Sequence, residues 1–469
     1  MKTTVRDSAE AGLAARAATP PVEHAALDLP AGRPDPVSVL ERQAVSRVPE
    51  LVPVRHGRML ASPFAYFRGA AAMMAEDLAA TPDSGLRTQL CGDAHLCNFG
   101  MFASPERRLV FDLNDFDETH PGPWEWDVKR LAASLEIAAR SNDFGHKHRR
   151  AIQLATVRAY QQAMNDFAGM HELDVWYARA DVEDLKDMLR DQLKKSRRKA
   201  AFDKTVAKAR SRDSQRSMAK LTELVGAHRR ITPDPPLVVP VQDLLPDGAQ
   251  EAAFVAAMRG MLGQYRSTLQ SDRRRLLDQF VFADLARKVV GVGSVGTRCW
   301  IVLMFGRDSQ DPLFLQVKEA QRSVIAEYGG VKAGRMDAGC QGRRVVDGQR
   351  LMQSVSDIFL GWATVDGIDG RQRDFYARQL ADWKGSVAIE EMVPSGMTAY
   401  GRLCGWTLAR AHARSGDRVA ISAYLGEDAT FAHAIAEFAE AYAEQNERDY
   451  DAMRAALRSG RITAEPDHR

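Results

Sequence analysis

The sequence predicts an α+β fold, with a small antiparallel-sheet lobe and a mainly helical lobe. Three observations predict it. The 469 residues exceed what one compact core accommodates, so two or three lobes are expected. Apolar residues recur at helical spacing over 124–168 and from about 397 onward. Between about 287 and 381 the apolar runs are short and rich in β-branched and aromatic residues, which indicates strands.

The remaining elements follow in chain order. Residues 1–36 are rich in Ala and Pro and predict a flexible tail. Short buried strands are expected at "LRTQLCGD" and "RRLVFDLND", before the helices of 124–168. Residues 182–230 have a basic helical pattern, predicted to be a solvated helix face because aromatic residues are not interleaved. The prolines of "ITPDPPLVVPVQDLLPDG" (231–248) predict a linker.

The composition excludes several classes of protein. The net charge of +2 gives no overall attraction to nucleic acid or to a membrane surface. Five scattered cysteines without C-x-x-C spacing argue against a disulfide framework or a structural zinc site. No apolar run reaches the roughly 18–20 residues that span a bilayer. A cytoplasmic protein with no membrane partner is therefore expected.

Acidic and amide side chains follow two strand patterns. "GDAHLCN" (92–98) places Asp93 and Asn98 five residues apart, and "NDFDET" (114–119) contains Asp115 and Asp117. The D-x-x-x-x-N spacing is that of the protein-kinase catalytic loop, whose carboxylate receives the substrate hydroxyl and whose amide oxygen binds a metal ion. Mg²⁺ prefers such oxygen ligands. The alternative is a pair of ordinary turns, which also favour Asp, Asn and Gly.

A glycine-rich hairpin and a strand lysine lie far downstream. "VVGVGSVGTRCWIVLM" (289–304) places Gly291, Gly293, Ser294 and Gly296 between two strand patterns. A Rossmann turn would need a helix next, so the pattern fits a hairpin whose N–H groups cover nucleotide phosphates. Lys318 in "FLQVKEA" lies where a kinase-type lysine reaches those phosphates. A plain glycine hairpin and a solvent-facing edge lysine are the alternatives.

The order of these motifs differs from that of an ordinary kinase. Starting near residue 284, the chain gives glycine hairpin, lysine strand, helix, two strands and hinge, and then the catalytic loop and metal-binding Asp. "LARAHA" (408–413), "GDAHLCN" and "DFDETHPGPWEWDVKRL" resemble motifs of aminoglycoside phosphotransferases, with Cys91 in place of their first His. The resemblance implies a protein-kinase-like two-lobed fold that is circularly permuted, which termini lying close together at the surface permit.

This resemblance implies a role for each residue and divides the chain. Asp93 is the catalytic base, Asn98 and Asp115 are metal ligands, Asp117 is a possible second metal ligand, Asp127 braces the loop, and His95 supports it. The carboxylate partner of Lys318 stays open between Glu327 and Asp347. The expected division is a tail over 1–36, a helical lobe over 37–280, a β-rich nucleotide-binding lobe over 281–392, and C-terminal helices over 393–469 that complete the helical lobe.

The chain as a whole also resembles the bacterial family called domain of unknown function 2252. Segments that carry the likeness include "RHGRMLASPFAYFRGAA", "CGDAHLCNFG", "WEWDVKRLAAS" and "RVVDGQRLMQ", and it covers most of residues 37–455. The family name supplies no function, so the functional hypothesis depends on the motifs.

The leading hypothesis is a phosphotransferase that uses ATP and Mg²⁺ and acts on a small-molecule hydroxyl, with a protein hydroxyl as the less favoured acceptor. The backbone of 291–296 and Lys318 hold the nucleotide phosphates in this hypothesis. Three alternatives stay open: transfer of AMP by the same fold, a non-catalytic nucleotide-binding module, and a metal-dependent hydrolase built from Asp93, His95, Asp115 and Asp117. The sequence predicts neither the acceptor nor the oligomeric state.

Two basic clusters are left without an assigned role. The first cluster contains Arg55, His56, Arg58 and Arg68. Two interpretations of it are equally favoured: binding of substrate or phosphate, or a surface helix whose aromatic residues pack inward. For Arg378 and Lys384, near the expected hinge, a structural ion pair with Asp382 is favoured over nucleotide contact.

Overall fold

The computed structural model describes residues 4–184, 196–226, 228–330, 339–367 and 370–466. It is a mixed fold of 54% helix and 16% strand, so helices dominate and the sheets are small and antiparallel. The α-helices are α1 (Val5–Ala18), α2 (Pro36–Ala44), α3 (Val52–Met59), α4 (Pro63–Gly69), α5 (Ala71–Ala79), α6 (Trp124–Ser141), α7 (His146–Ala168), α8 (Glu172–Tyr177), α9 (Ser196–Arg210), α10 (Ser214–Leu221), α11 (Val241–Leu244), α12 (Gly248–Ser267), α13 (Ser271–Leu277), α14 (Val324–Glu327), α15 (Gln341–Met352), α16 (Pro394–Ser415), α17 (Arg418–Leu425) and α18 (Thr430–Arg458). The β-strands are β1 (Arg87–Leu90), β2 (Phe99–Ala103), β3 (Leu109–Leu113), β4 (His120–Pro123), β5 (Ala180–Asp181), β6 (Thr222–Val225), β7 (His228–Ile231), β8 (Val238–Pro240), β9 (Val281–Lys288), β10 (Cys299–Phe305), β11 (Pro312–Ala320), β12 (Gly361–Asp366) and β13 (Gln372–Gln379).

The largest sheet has six antiparallel strands in the order β12-β13-β11-β10-β9-β8. Met258 and Tyr265 of α12 pack on one face of this sheet. Met218 of α10 and Ile231 of β7 pack on the other face. Because both faces are covered, β10 and β11 are buried along nearly their whole length and read as continuous apolar runs instead of alternating patterns.

Within the segment 231–248, residues Val238–Pro240 form the edge strand β8 of this sheet, so the linker prediction is wrong. Val238 pairs with Lys288, and Pro240 pairs with Ala286. β8 is an edge strand, where a proline is tolerated because one side of the strand needs no hydrogen-bond partner. Helices α10 and α12 likewise pack on the sheet, although the sequence assigned 37–280 to the helical lobe. The part of the basic segment at 185–195 lies outside the described residues.

The helical lobe is built from both ends of the chain. Helices α6 and α7 share one hydrophobic core with α16 and α18. Helix α6 is buried on nearly every side, from Trp124 to Ala139. A Cβ on Gly405 of α16 would lie 2.5 Å from the carbonyl oxygen of Thr156, so glycine is what lets α16 approach α7 this closely. This packing places α16 beside the loop that follows β1.

The flexible-tail prediction for 1–36 is wrong wherever the chain is described. Arg16 at the end of α1 donates to the carbonyl oxygens of Tyr424 (2.6 Å) and Leu425 (2.7 Å). His24 is fully buried and its Nε2 lies 2.7 Å from the Tyr424 hydroxyl. Local composition could not predict this docking, because the contacts join residues 400 or more positions apart.

Candidate functional site

The loop after β1 is braced by Asp127 in the first turn of α6. The Asp127 carboxylate accepts the backbone N–H groups of Cys91 (2.8 Å) and Gly92 (3.0 Å), and His412 Nε2 lies 3.2 Å from it. Gly92 has a φ of +84°, and a Cβ there would lie 2.1 Å from the carbonyl oxygen of Glu118. The loop therefore requires glycine at this position, and Asp127 has the bracing contacts that the resemblance implied.

Specific contacts fix the side chains of Asp93 and Asn98. Asn98 Nδ2 donates to the carbonyl oxygen of Asp93 (2.6 Å), which leaves the amide oxygen free to accept. Asp93 Oδ1 accepts a hydrogen bond from Arg130 Nε (2.8 Å), and the Arg130 guanidinium stacks on the Phe67 ring at 3.7 Å. The other oxygen, Oδ2, lies 3.6 Å from His95 Nε2. The carboxylate is thus held in one orientation.

His95 supports this loop as a neutral side chain. Its Nδ1 accepts the backbone N–H of Cys97 (3.1 Å). Burial lowers the pKa of His95 to about 4, although the nearby Asp93 carboxylate acts in the opposite direction. His95 therefore carries no charge at neutral pH, and Arg130 is the cation paired with Asp93.

Lys318 of β11 meets the acidic residues that follow β3. Its Nζ lies 3.4 Å from Asp115 Oδ2 and contacts Asp117 Oδ2. Asp117 Oδ1 also accepts a hydrogen bond from the Tyr376 hydroxyl (2.6 Å), and Oδ2 accepts a longer one from Ser294 Oγ (3.3 Å). Lys318 is 3% exposed, so the solvent-facing alternative is wrong for it.

Neither sequence candidate for the partner of Lys318 is correct. Asp347 forms an ion pair with Arg343 (3.1 Å), and Glu327 lines the cavity without reaching Lys318. The actual partners, Asp115 and Asp117, come from the other half of the chain.

The pKa values of Asp115 and Asp117 are shifted in opposite directions, although both carboxyl groups contact Lys318. Burial alone would raise the pKa of Asp115, but the charges of Lys318 and Arg378 outweigh it and lower that pKa below its usual range. Burial and the Asp115 charge together raise the pKa of Asp117, against the effect of Lys318. Asp115 is therefore the member of the pair that stays ionised most readily.

Hydrogen bonds from the N-terminal helices and the segments beside them anchor the glycine hairpin between β9 and β10. Arg58 Nη1 donates to the Gly291 carbonyl oxygen (2.7 Å), Arg47 Nη1 donates to Val295, and Val48 N–H donates to Gly296 (2.8 Å). Gly291 and Gly296 have positive φ angles of +63° and +89°, which favour glycine. Arg58, weighed in the sequence as a phosphate ligand, thus contacts the hairpin backbone.

One cavity of about 450 Å³ joins these parts. The predicted residues that line it are Asp93, Asn98, Asp115, Asp117, Gly291, Gly293 and Ser294. Gly296 is not in the lining, because it packs against Arg47. Lys318 lies behind the wall and reaches the site through Asp115 and Asp117. The structure therefore brings the predicted residues together, with two of them outside the cavity surface.

The same cavity contains residues that the sequence did not single out. Arg47, Glu118 and Glu319 line it. Arg47 reaches the hairpin from 248 positions away, so no local pattern could have found it. Arg55 and Arg68 also line the cavity, which favours the binding alternative over a surface helix for these two.

A second, smaller cavity of about 160 Å³ lies at the segment that follows β13. Arg378 lines it and donates to the Asn114 carbonyl oxygen (2.7 Å). Asp382 pairs with Arg107 (2.8 Å). The proposed ion pair of Asp382 with Arg378 or Lys384 is therefore wrong.

Comparison with protein families matches residues 47–456 to the family described as an uncharacterized protein conserved in bacteria (DUF2252). This chain belongs to the DUF2252 family. The match includes the loop of Asp93 and Asn98, the glycine hairpin and Lys318 of the DUF2252 chain. No curated protein and no solved structure matches it significantly.

The fit of Mg²⁺ to the DUF2252 cavity depends on few protein ligands. Among the described residues, no three His, Cys, Asp or Glu side chains are grouped to hold a metal by themselves. Mg²⁺ is commonly bound by one or two carboxylates and substrate phosphates, and Asn98 and Asp115 suit that role because both line the cavity. Asp117 suits it less, since Lys318 and Tyr376 already occupy its oxygens.

Over the described part of the DUF2252 chain, every helix is too short or too polar to cross a membrane.

Proposed function

We propose that this DUF2252 protein is a phosphotransferase dependent on ATP and Mg²⁺, with a circularly permuted, protein-kinase-like arrangement of two lobes. The observation that carries the proposal is the meeting of Lys318 with Asp115 and Asp117 beside the loop of Asp93 and Asn98. Lys318 and Asp115 are 203 positions apart, and local structure alone gives no reason for them to meet. Phosphoryl transfer gives each of these residues a task.

The path of the chain supports the permuted arrangement. The six-stranded sheet contains the hairpin and Lys318, and the chain leaves β13 to enter α16. His412 of α16 then contacts Asp127, which braces the catalytic loop of the N-terminal half. The C-terminal helices thus take the place that a helix before the catalytic loop has in an unpermuted chain.

The proposed reaction transfers the γ-phosphoryl group of ATP to an acceptor hydroxyl. Asp93 accepts the hydroxyl proton as the acceptor oxygen forms a bond to the γ-phosphorus. The bond from that phosphorus to the bridging oxygen breaks, and ADP leaves. The N–H groups of the hairpin stabilise the negative charge of the phosphates. Lys318 acts through Asp115 and Asp117, whose carboxylates it holds beside the cavity. Mg²⁺ bound to Asn98 and Asp115 would supply further charge neutralisation.

The hydrolase alternative is disfavoured by the geometry. It requires His95 as a ligand or a base, yet Nδ1 of His95 is engaged by the Cys97 backbone. It also leaves Lys318 and the hairpin without a task. Transfer of AMP uses the same site, and mass spectrometry of protein incubated with ATP separates the two, because the added masses differ.

The proposal is tested by calorimetric titration of the full chain with ATP, with and without Mg²⁺. We expect binding that needs Mg²⁺ and that Asp115→Asn weakens roughly tenfold or more, because a charged metal ligand is lost. Asp451→Asn removes an exposed carboxylate far along α18 and serves as the matched control. Failure of the wild-type protein to bind ATP in the presence of Mg²⁺ overturns the proposal.

A further inference from the structure

Five arginines line the cavity, and none of them has a task in phosphoryl transfer. Three of the five carry the inference. Arg47 follows α2, Arg55 belongs to α3 and Arg68 belongs to α4, and together they are called the arginine wall. The arginine wall and the proposed catalytic carboxylate of Asp93 face one cavity. Its volume of about 450 Å³ is within the range of small-molecule sites.

The arginine wall has buried donors that the protein itself does not satisfy. Arg55 is 0% exposed, and its Nη2 donates to Gln43 Oε1 (2.8 Å) and to the Gly69 carbonyl oxygen (3.0 Å). Within the described residues, Nε and Nη1 of Arg55 have no hydrogen-bond partner, and neither has Nε of Arg47 or of Arg68. Buried donors without acceptors are costly, and the three side chains that carry them line the cavity, so an anion bound there would offset their positive charge.

The charges within the arginine wall also favour a bound anion. Burial lowers the pKa of Arg55 well below its usual range, and the neighbouring charge of Arg47 lowers it further. Burial also lowers the pKa of Arg47 to about 10, although Glu118 and Glu319 act against it. No carboxylate of the described residues pairs with Arg55 at 4.0 Å or less. A bound anion would relieve this repulsion between like charges.

We infer that the acceptor substrate is anionic: a hydroxyl-bearing small molecule whose phosphate or carboxylate group binds to the arginine wall while its hydroxyl faces Asp93. The inference rests on the proposed phosphotransferase function and adds the substrate class. Arg is suited to this task because its planar fork binds phosphate or carboxylate through two parallel hydrogen bonds.

The position of Arg55 and Arg68 favours the acceptor over the nucleotide as the source of the anion, since of the three arginines Arg47 is the one that donates a hydrogen bond to the hairpin. The proposed ligands of the nucleotide phosphates are the N–H groups of the hairpin, which connects β9 and β10 of the six-stranded sheet. The arginine wall belongs to the N-terminal helices, next to the catalytic loop: the charge of Arg68 acts on His95, two residues after Asp93. A cationic acceptor, which a likeness to aminoglycoside phosphotransferases would suggest, would be repelled at the arginine wall. It would be attracted only by the carboxylates that line the same cavity, which are Asp93, Asp115, Asp117, Glu118, Glu319 and Glu327.

Calorimetry without nucleotide tests the inference. The full-length protein is titrated with inorganic phosphate, with glycerol 3-phosphate, and with glycerol and kanamycin as neutral and cationic probes. We expect the two anions to bind and the other two probes not to bind. Arg68→Gln should weaken the anions roughly tenfold or more, whereas Arg307→Gln, at an exposed arginine, should not. Arg68 is the first choice because Arg55 also supports Gln43 and Gly69, and circular dichroism checks that each variant is folded.

Titration with ATP and Mg²⁺ separates the two sources of the anion. We expect Arg68→Gln to leave this affinity within about threefold of wild type, and Asp115→Asn to weaken it while leaving phosphate binding unchanged. Equal losses for ATP and inorganic phosphate in Arg68→Gln would assign the arginine wall to the nucleotide and overturn the inference. Absence of anion binding by the wild type, or preference for glycerol or kanamycin, overturns it as well. Because phosphate binding needs no nucleotide, it can fail or succeed independently of the proposed function.

Discussion

Lys318 shows how a single buried charge organises this site. An ammonium group that is 3% exposed is tolerated only with charged or hydrogen-bonding partners. Asp115 and Asp117 supply them, and Tyr376 donates to Asp117 from the neighbouring strand. The lysine thus keeps two adjacent carboxyl groups together that would otherwise repel each other. It also holds Asp115 in the ionised form that a metal ligand requires.

Replacing Lys318 should therefore damage both stability and nucleotide binding. In Lys318→Met the two carboxyl groups lose their cation, and we expect the free energy of unfolding to fall by about 1–3 kcal/mol. The loss is smaller than for a fully buried pair because Asp115 and Asp117 retain some exposure. Denaturant melts measure the loss, and calorimetry should detect no binding of ATP with Mg²⁺. The double variant Lys318→Met, Asp117→Asn should regain part of the stability but none of the binding. A single variant that binds ATP like the wild type would remove Lys318 from the proposed site.

At the scale of elements, the glycine hairpin is positioned by helices that precede it by more than 200 residues. Arg58 and Val48 hold its carbonyl groups, and Arg47 packs against Gly296. Because the carbonyls point to these donors, the shape of the hairpin depends on the N-terminal helices as much as on its own glycines. The hairpin is thus part of the interface between the sheet and the helical lobe.

Gly296→Ala should distort this hairpin. Its φ of +89° disfavours a side chain, and the new Cβ would lie 3.0 Å from Arg47 Cβ. We therefore expect the free energy of unfolding to fall by about 1–2 kcal/mol and ATP to bind more weakly. Gly85→Ala is the matched control: its φ is +76° but nothing lies within 4 Å of the added Cβ. It should cost similar backbone strain without changing ATP affinity. Equal affinities in all three proteins would show that the hairpin does not contact the nucleotide.

The N-terminal element should detach in acid because of His24. Burial lowers the pKa of His24 to about 3, from about 6.5 in the unfolded chain. A lowered histidine pKa gives stability that is complete above about pH 6.5 and is lost as the pH falls toward 3. We expect about 1–3 kcal/mol of this stability to be lost between pH 7 and pH 4.5, seen as faster proteolysis of residues 4–30.

The variant His24→Phe should remove that part of the pH dependence, since phenylalanine carries no titratable proton and the ring at this position already contacts Phe431 edge-on. His146→Gln, at an exposed histidine, is the control. Other buried histidines, such as His95, titrate in both proteins, so the difference between wild type and His24→Phe isolates this group. Identical pH profiles for the two proteins would contradict the assignment.

At the scale of the whole molecule, the cavity is shared between two distant parts of the chain. Asp93, Asn98 and Asp115 come from the N-terminal half, whereas the hairpin and Lys318 come from the six-stranded sheet. One nucleotide bound here should therefore stabilise both parts at once. Hydrogen–deuterium exchange with saturating ATP and Mg²⁺ should show protection of 91–98, 113–118 and 289–298 together. Asp115→Asn should lose all three effects, and protection of one part alone would contradict a shared site.

The local elements and the types of the site residues were determined by the sequence. Short apolar runs predicted the strands β1, β3, β10 and β11. Asp93 and Asn98 lie in the loop after β1, Asp115 follows β3, and Lys318 lies within β11. Helical spacing predicted α6, α7, α16 and α18. These features depend on residues that are close together in the chain, so periodicity and turn chemistry suffice to find them.

Tertiary structure alone decided which of these elements meet. The pairing of Lys318 with Asp115, the contact of Arg47 with the hairpin and the docking of His24 on Tyr424 join residues 203, 248 and 400 positions apart. Patterns within short stretches of sequence therefore predicted Glu327 or Asp347 as the partner of Lys318, a flexible tail over 1–36 and a linker over 231–248. Such patterns carry information about neighbours in the chain and none about these distant contacts. Such contacts form when the packing of buried apolar faces fixes the elements relative to one another, and that packing is a property of the whole chain.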